Sequence, residues 1–182
     1  MKKALLLSLC FSSFIIANEP KIYIDMSPVL LNYSDNGTTT DFKPTGFKWS
    51  AGYLVKDFDI VTLGLEASFM TGVKSDSKTN VKGNNGAVFN QANSSLDKMY
   101  SLHLKTIVPI TGGLNANLYV GGSRAKMVSS AIGFSSSNEW DSSLSYGAGL
   151  EYWSSANVSV YGNYMQYFKN LDAVEFGVGF KF

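Results

Sequence analysis

The chain has 182 residues, with 15 Lys and Arg against 14 Asp and Glu, one His and one Cys. Aromatic residues make up 14% of it and charged residues 16%, whereas about a quarter of the residues of an ordinary soluble domain are charged. Abundant aromatic residues and a net charge near zero exclude a disordered chain. Because the basic residues are scattered and form no stripe, we expect no nucleic-acid partner.

The N-terminus has the layout of a secretory signal peptide. Lys2 and Lys3 precede a largely apolar run over residues 4–16, and Ala17 then provides a small residue for cleavage. The run is too short for a membrane-spanning helix, which needs about 20 residues. We therefore predict a signal peptide over residues 1–17. The mature chain, residues 18–182, contains no cysteine, so its stability must come from hydrogen bonding and packing.

Eight segments then alternate between apolar and polar residues. The second segment shows the pattern well, because Phe47, Trp49 and Tyr53 share one parity while Lys48 and Ser50 share the other. A period of two sustained over roughly ten residues predicts a β-strand, and no segment has helical spacing. Pro28 suggests a bulge in the weaker first segment. The segments are residues 21–33, 47–56, 61–70, 100–108, 114–121, 144–152, 158–164 and 174–182.

The links between these segments alternate between short and long. Residues 56–60, 109–113 and 154–157 are short turns. The other links, rich in Ser, Asn, Gly, Thr and Lys except for the brief last one, are residues 34–45, 72–97, 127–142 and 168–172. This alternation places both termini on the short-turn side, as in outer-membrane barrels. We predict an all-β fold, an eight-stranded antiparallel up-and-down transmembrane β-barrel that forms one domain over residues 18–182.

Alternation alone does not say which parity faces outward, since a soluble lipocalin-like barrel alternates with its apolar residues inside. Three observations favour apolar residues outside. The segments have the length of a tilted spanning strand, aromatic residues gather near segment ends, and most mid-strand charges share the polar parity. A lipid-facing charge costs about 2–4 kcal/mol at mid-depth. Arg124 and Lys126 break the alternation, and we therefore predict a bulge at Gly121-Gly122 that reverses the parity and turns Ala125 and Met127 outward.

The polar parity would then place a set of charged side chains inside the barrel. An eight-stranded barrel is only just wide enough for side chains to fill, so opposite charges there should pair. Such a network forms either a structural plug or a gate that lets small ions pass, and the strand count excludes a wide pore. The predicted network comprises Lys48, Glu66, Lys105, Arg124, Glu151 and Glu175, with Lys181 at the chain end.

Candidates for catalysis and metal binding are few. His103 is the single histidine, and its sequence neighbourhood offers only Ser101 and Lys105 as polar partners. A general base needs a partner within hydrogen-bond reach, and no cluster has metal-ligand spacing. We therefore predict no catalytic site, no cofactor and no metal.

The long links carry isolated apolar residues that are candidates for contacts with a ligand. Residues 72–97 contain Val88 and Phe89, and residues 127–142 contain Ile132, Phe134 and Trp140. Functional residues are often found on loops. These side chains would contact a host surface, another protein or lipopolysaccharide, or the loops would only cap the barrel.

The signal peptide, the eight strands, the polar loops and the C-terminal run Val174–Phe182 together resemble the small outer-membrane β-barrel proteins. This is the OmpA/OmpX/opacity-protein class, often labelled the porin family. The resemblance implies a place in the outer membrane of a Gram-negative cell, in contact with its lipid and lipopolysaccharide, with barrel-assembly machinery and periplasmic chaperones as partners. The implied assembly signal consists of Phe176, Val178, Phe180 and Phe182.

Some eight-stranded outer-membrane barrels are enzymes that modify lipid A, and their deacylases carry a His-x-Ser pair. Here the corresponding run is His103-Leu104-Lys105, which departs from that pair. We therefore expect a non-enzymatic protein that serves in binding, adhesion or envelope structure. The alternative is a narrow barrel that transports ions or small apolar molecules.

Overall fold

The computed structural model describes residues 22–34, 39–83, 86–131, 137–154 and 157–182. The predicted signal peptide lies outside these residues. The chain forms ten β-strands, which are β1 (Ile22–Ser34), β2 (Asp41–Phe42), β3 (Thr45–Phe58), β4 (Val61–Lys74), β5 (Asp76–Lys82), β6 (Val88–Thr111), β7 (Leu114–Ala131), β8 (Ser137–Trp153), β9 (Val158–Phe168) and β10 (Leu171–Lys181). None of the described segments is a helix long and apolar enough to cross a membrane.

Eight of these strands form one closed antiparallel sheet. The pairing runs from β1 through β3, β4, β6, β7, β8 and β9 to β10, and β10 pairs back with β1, from Tyr23 opposite Lys181 to Tyr33 opposite Leu171. The short strands β2 and β5 pair only with β1 and β6. This pairing confirms the predicted up-and-down arrangement of eight strands, with every barrel edge closed.

The two ends of the barrel differ. At the turn end, where β1 begins and β10 ends, neighbouring strands are joined by short turns such as Gly112-Gly113 between β6 and β7. Both of these glycines have positive φ, 53° and 86°, which a tight two-residue hairpin requires. The opposite end, where β2 and β5 lie, is called the hairpin end below. The strands β6, β7 and β8, which reach beyond the barrel at this end, have total lengths of 24, 18 and 17 residues.

The apolar parity faces outward. Leu102, Leu144 and Phe176 have exposed fractions of 60%, 79% and 58%, whereas Lys48, Glu66 and Glu175 are at most 3% exposed. A soluble barrel has the reverse arrangement, because water would then cover the charges and the apolar side chains would fill the interior. The outward apolar surface is that of a barrel whose solvent is lipid.

The links predicted at residues 72–97 and 127–142 are mostly strand. β5 pairs with β6 from Asp76 opposite Ser94, and β7 pairs with β8 as far as Ser129 opposite Ser137. These segments extend past the lipid-facing part of the barrel. Their outward side chains meet water rather than lipid and need not be apolar, so the apolar alternation that identifies a strand in sequence is lost although the backbone ladder continues.

The two predicted bulges are wrong. The β1–β10 ladder keeps one register on both sides of Pro28, with Met26 opposite Val178 and Val29 opposite Glu175. The β7–β8 ladder likewise runs unbroken through Gly121 and Gly122. The parity change occurs instead on β6, where the register shifts between Leu96 and Lys98.

On β4 and β10, buried apolar side chains lie nearer the hairpin end than the buried charge on the same strand. On β4 Met70 follows Glu66, and on β10 Leu171 and Ala173 precede Glu175. The buried apolar layer comprises Val29, Leu31, Tyr33, Met70, Leu96, Met99, Tyr119, Ala125, Met127, Met165, Tyr167, Phe168, Leu171 and Ala173.

Candidate functional site

The barrel interior brings together five of the six predicted network residues around two lysines. Lys48 Nζ lies 2.5 Å from Glu175 Oε2 and 3.9 Å from Glu66 Oε1. Lys105 Nζ lies 3.4 Å from Glu151 Oε2 and 3.9 Å from Asp25 Oδ2. The six side chains of these ion pairs are at most 4% exposed. Removal of one partner from a buried pair leaves an uncompensated charge.

Tyr23 joins the two ion-pair clusters. Its hydroxyl donates a hydrogen bond to Glu66 Oε2 at 3.1 Å, and its ring centroid lies 4.5 Å from Lys105 Nζ. The network prediction omitted both Tyr23 and Asp25. Their shared parity on the first segment was a usable signal, but that segment alternates more weakly than the others and its Pro28 obscured the parity.

Neutral donors surround two of the buried carboxylates, those of Glu151 and Glu175. Glu151 accepts hydrogen bonds from Asn117 Nδ2 at 3.0 Å and Ser159 Oγ at 2.9 Å. Glu175 accepts from the Tyr167 hydroxyl and from Asn163 Nδ2 at 3.4 Å. Within the described ranges, the barrel buries four carboxylates but only two lysines. The neutral donors offset part of this excess negative charge, because charge-assisted hydrogen bonds stabilise an ionised carboxylate.

Arg124 is not part of this network. It lies on the outer wall, exposed, with its guanidinium carbon 4.8 Å from the centroid of the Trp140 ring. Since the predicted bulge is absent, Ala125 and Met127 are buried inside instead. A strand near the hairpin end tolerates an outward charge, because the cost of such a charge falls towards the membrane interface. Lys181 is also outside the network, with Nζ 4.1 Å from the Trp153 ring centroid.

His103 has a partner that sequence spacing did not reveal. Its Nε2 lies 2.8 Å from Ser145 Oγ on β8, and Ser123 Oγ lies 2.7 Å from Ser145 Oγ and 2.8 Å from Ser101 Oγ. Because His103 and Ser145 are 2% and 0% exposed, a substrate from outside does not reach this pair. In the described part of the chain, no group of three or more His, Cys, Asp or Glu is arranged to hold a metal ion.

The hairpin end carries an ordered extension of the barrel. Phe42 of β2, Val81 of β5 and Ala92 of β6 are buried against one another, and Phe89 packs on them. Of the predicted loop contacts, Phe89 therefore contributes to this small core, while Val88 is 60% exposed. Phe134 and Ile132 lie outside the described residues.

Trp140, the remaining predicted contact, belongs to a row of aromatic rings around the outer wall. Ring centroids are 4.6 Å apart for Phe47 and Trp49, 6.1 Å for Trp49 and Phe69, 5.3 Å for Phe69 and Tyr100, and 6.2 Å for Tyr100 and Trp140. Barrels place such aromatic belts at the membrane interfaces. This row therefore marks the interface at the hairpin end.

The four residues of the predicted assembly signal share the outward parity at the chain end. Phe176, Val178 and Phe182 are exposed, and Phe180 is half-buried. Except for Phe182, they belong to β10, which pairs with β1 on one side and β9 on the other. The N–H of Phe182 donates to the carbonyl oxygen of Ile22 at 2.8 Å.

Comparison with solved structures finds the same barrel in several outer-membrane proteins. Ail, the attachment invasion locus protein of Yersinia pestis, solved in complex with the heparin analogue sucrose octasulfate, is 17% identical with a TM-score of 0.59. That alignment covers 90% of this chain and 99% of Ail. The N-terminal barrel of Pseudomonas aeruginosa OprF is 17% identical with a TM-score of 0.51, over 90% of this chain and 100% of that barrel. At these identities the likeness shows the fold.

No curated protein sequence matches the chain significantly. The model of one family does, over residues 4–182, and it describes the outer membrane protein beta-barrel domain. This match and the closed barrel with its outward apolar surface agree. The chain belongs to the outer membrane protein beta-barrel domain family and is an outer-membrane protein.

Proposed function

We propose that this protein is a non-enzymatic binding module of the outer membrane that contacts a surface ligand at the hairpin end. In this proposal residues 1–17 direct export, residues 18–182 form the barrel, and the hairpin end faces the cell exterior. The C-terminal strand serves barrel-assembly machinery and periplasmic chaperones as the recognition signal.

The ordered extension beyond the barrel is the observation that carries the proposal. A tilted spanning strand needs about 9–11 residues, whereas β6 has 24. The additional residues pair with β5 and β7 and enclose the small core around Phe42 and Val81. A loop that only joins strands needs no core of its own, so a preformed surface for a ligand is favoured.

The filled interior argues against transport through the barrel. Met70, Met99 and Met165 are each 1% exposed and Tyr167 is 0% exposed, and they lie in the layer next to the ion pairs. Packed side chains of this kind leave few voids larger than a water molecule. A planar-bilayer measurement of the folded protein should therefore show no steady conductance. An open channel at neutral pH would favour the transport alternative instead.

Exposed apolar residues at the hairpin end provide the direct test. Val73 and Val88 are 69% and 60% exposed, and a double Val73→Ser and Val88→Ser variant should leave the fold intact. We expect cells that express this variant to adhere at least several-fold less to cultured host epithelial cells than cells with the wild type.

Ile60→Ser is the matched control, since Ile60 is 78% exposed but lies at the turn end. It should adhere like the wild type. Equal adhesion by all three strains and a strain without the protein, at equal surface amounts, would contradict the binding function.

A further inference from the structure

We propose that the outer wall of β6, β7 and β8 holds a phosphorylated lipid of the outer leaflet, with its phosphate on Arg124 and Lys98 and an acyl chain in the groove beside them. The groove is shallow and open to the lipid, with a volume of about 530 Å³.

The groove exists because one of the outward-facing positions of β7 is a glycine, which has no side chain to fill the space. Gly122 lies opposite Leu102 of β6 and Leu144 of β8, so two large apolar side chains flank a bare stretch of backbone. A Cβ on Gly122 would meet only one neighbouring atom within 4 Å, Ser143 O at 3.9 Å. The walls are apolar and face lipid, which suits an acyl chain.

A cation closes the hairpin end of this groove. Arg124 is two residues beyond Gly122 and lies opposite Tyr100 and Ser142. Arg124 and Lys98 both approach the ring of Trp140, at 4.8 and 5.8 Å from its centroid. The aromatic belt that includes Tyr100 and Trp140 places both cations at the level where lipid headgroups lie.

Among the described side chains, neither Arg124 nor Lys98 has an acidic partner within 4.0 Å. Their neighbour Lys126, in contrast, is paired with Asp97 at 3.2 Å. Both cations lie at the interface, where an outward charge is tolerated, and guanidinium binds phosphate through two parallel hydrogen bonds. An anionic headgroup therefore complements the charge, while a zwitterionic one brings its own cation.

The occupant is thus an acyl lipid rather than a free anion. The cations alone would suit either, but the groove continues from them along the lipid-facing wall between Leu102 and Leu144. A molecule that joins a phosphate to a hydrocarbon chain satisfies both parts at once.

Lipid binding to the folded barrel in detergent, measured by native mass spectrometry, tests this site. The probes are dimyristoyl phosphatidic acid and dimyristoyl phosphatidylcholine, which share their acyl chains. We expect one phosphatidic acid to bind the wild type at least tenfold more tightly than phosphatidylcholine. The Arg124→Gln and Lys98→Gln double variant should lose at least tenfold in affinity for phosphatidic acid, and Gly122→Leu should lose a similar factor by filling the groove.

Lys56→Gln is the matched control, because Lys56 Nζ also lies over an aromatic ring, 4.8 Å from the centroid of Phe58, but Lys56 belongs to β3 and does not line this groove. It should bind phosphatidic acid like the wild type. Equal binding of the two lipids, or unchanged affinity in the double variant or in Gly122→Leu, would overturn the proposal. Displacement by inorganic phosphate at a concentration equal to that of the lipid would also overturn it, since the site would then hold a free anion. Retention of the compact band in unboiled electrophoresis shows that each variant is folded.

Discussion

At the scale of single residues, Lys48 illustrates how the interior depends on charge balance. Its ammonium group lies between Glu175 and Glu66, and the alternation of the second predicted segment was sufficient to place it inside. Its partners were not predictable from sequence, because Glu175 is 127 positions away and only the closure of β10 on β1 and of β1 on β3 brings the two side chains together.

The variant Lys48→Met should destabilise the barrel by about 3–5 kcal/mol, because two carboxylates would remain buried without their cation. The measurement is the urea midpoint of unfolding in detergent, followed by tryptophan fluorescence. Adding Glu175→Gln should restore part of the loss. Lys74→Met changes an exposed lysine and should alter the stability by at most about 1 kcal/mol, so equal effects of the two single substitutions would contradict a buried ion pair.

At the scale of elements, β7 shows both what the pattern predicts and where it fails. Alternation placed residues 114–121 correctly, and Asn117 and Tyr119 are buried inside. The strand continues without a bulge because Arg124 faces out at the interface, where a charge is tolerated. Sequence periodicity records parity but not depth in the membrane, so the outward charge of Arg124 near the interface was interpreted as a change of parity.

Two adjacent glycines of β7 make an internally controlled prediction. A Cβ on Gly121 would lie 2.0 Å from the Leu102 carbonyl oxygen and 2.7 Å from His103 Cα, and backbone atoms yield less readily than flexible side chains. Gly121→Ala should therefore cost at least about 1–3 kcal/mol by overpacking. Gly122→Ala, which faces open space, should leave the urea midpoint nearly unchanged. The reverse order would show that the β6–β7 contact is looser than the structure has it.

At the scale of the whole molecule, the sequence contains enough to predict a closed barrel but not its height. Eight alternating segments, short turns at one end and charges on one parity predict the strand count and the lipid-facing surface. The hairpin extension was missed because residues 76–82 and 88–95 are mostly polar, and their few apolar residues, such as Val81, Phe89 and Ala92, do not recur with a period of two.

Deletion of the last residue, Phe182, should distinguish the assembly of the barrel in the membrane from the stability of the folded barrel. The N–H of Phe182 makes one backbone hydrogen bond, to Ile22, so deletion of Phe182 should change the unfolding free energy by only about 0.5–1.5 kcal/mol. If the C-terminal strand is the assembly signal, the amount of compact, heat-modifiable protein in the outer membrane should nevertheless fall several-fold.

Electrophoresis of boiled and unboiled outer-membrane fractions measures this amount. Phe58→Ser provides the control, since Phe58 is an exposed aromatic residue at the same end of the barrel. A normal yield after deletion of Phe182 would assign the terminal aromatic residues to lipid contact alone.

The methionines inside the barrel make the chain's sensitivity to oxidation depend on whether it has already folded. Four of the six methionines, Met70, Met99, Met127 and Met165, lie in the apolar layer inside the barrel. Oxidation by peroxide converts a methionine thioether into a polar sulfoxide, which disrupts apolar packing. The closed barrel shields these four sulfurs, whereas an unassembled chain exposes them. Peroxide should therefore damage chiefly chains that have been exported but not yet folded. A chain oxidised before the barrel closes would have up to four polar sulfoxides in its apolar layer.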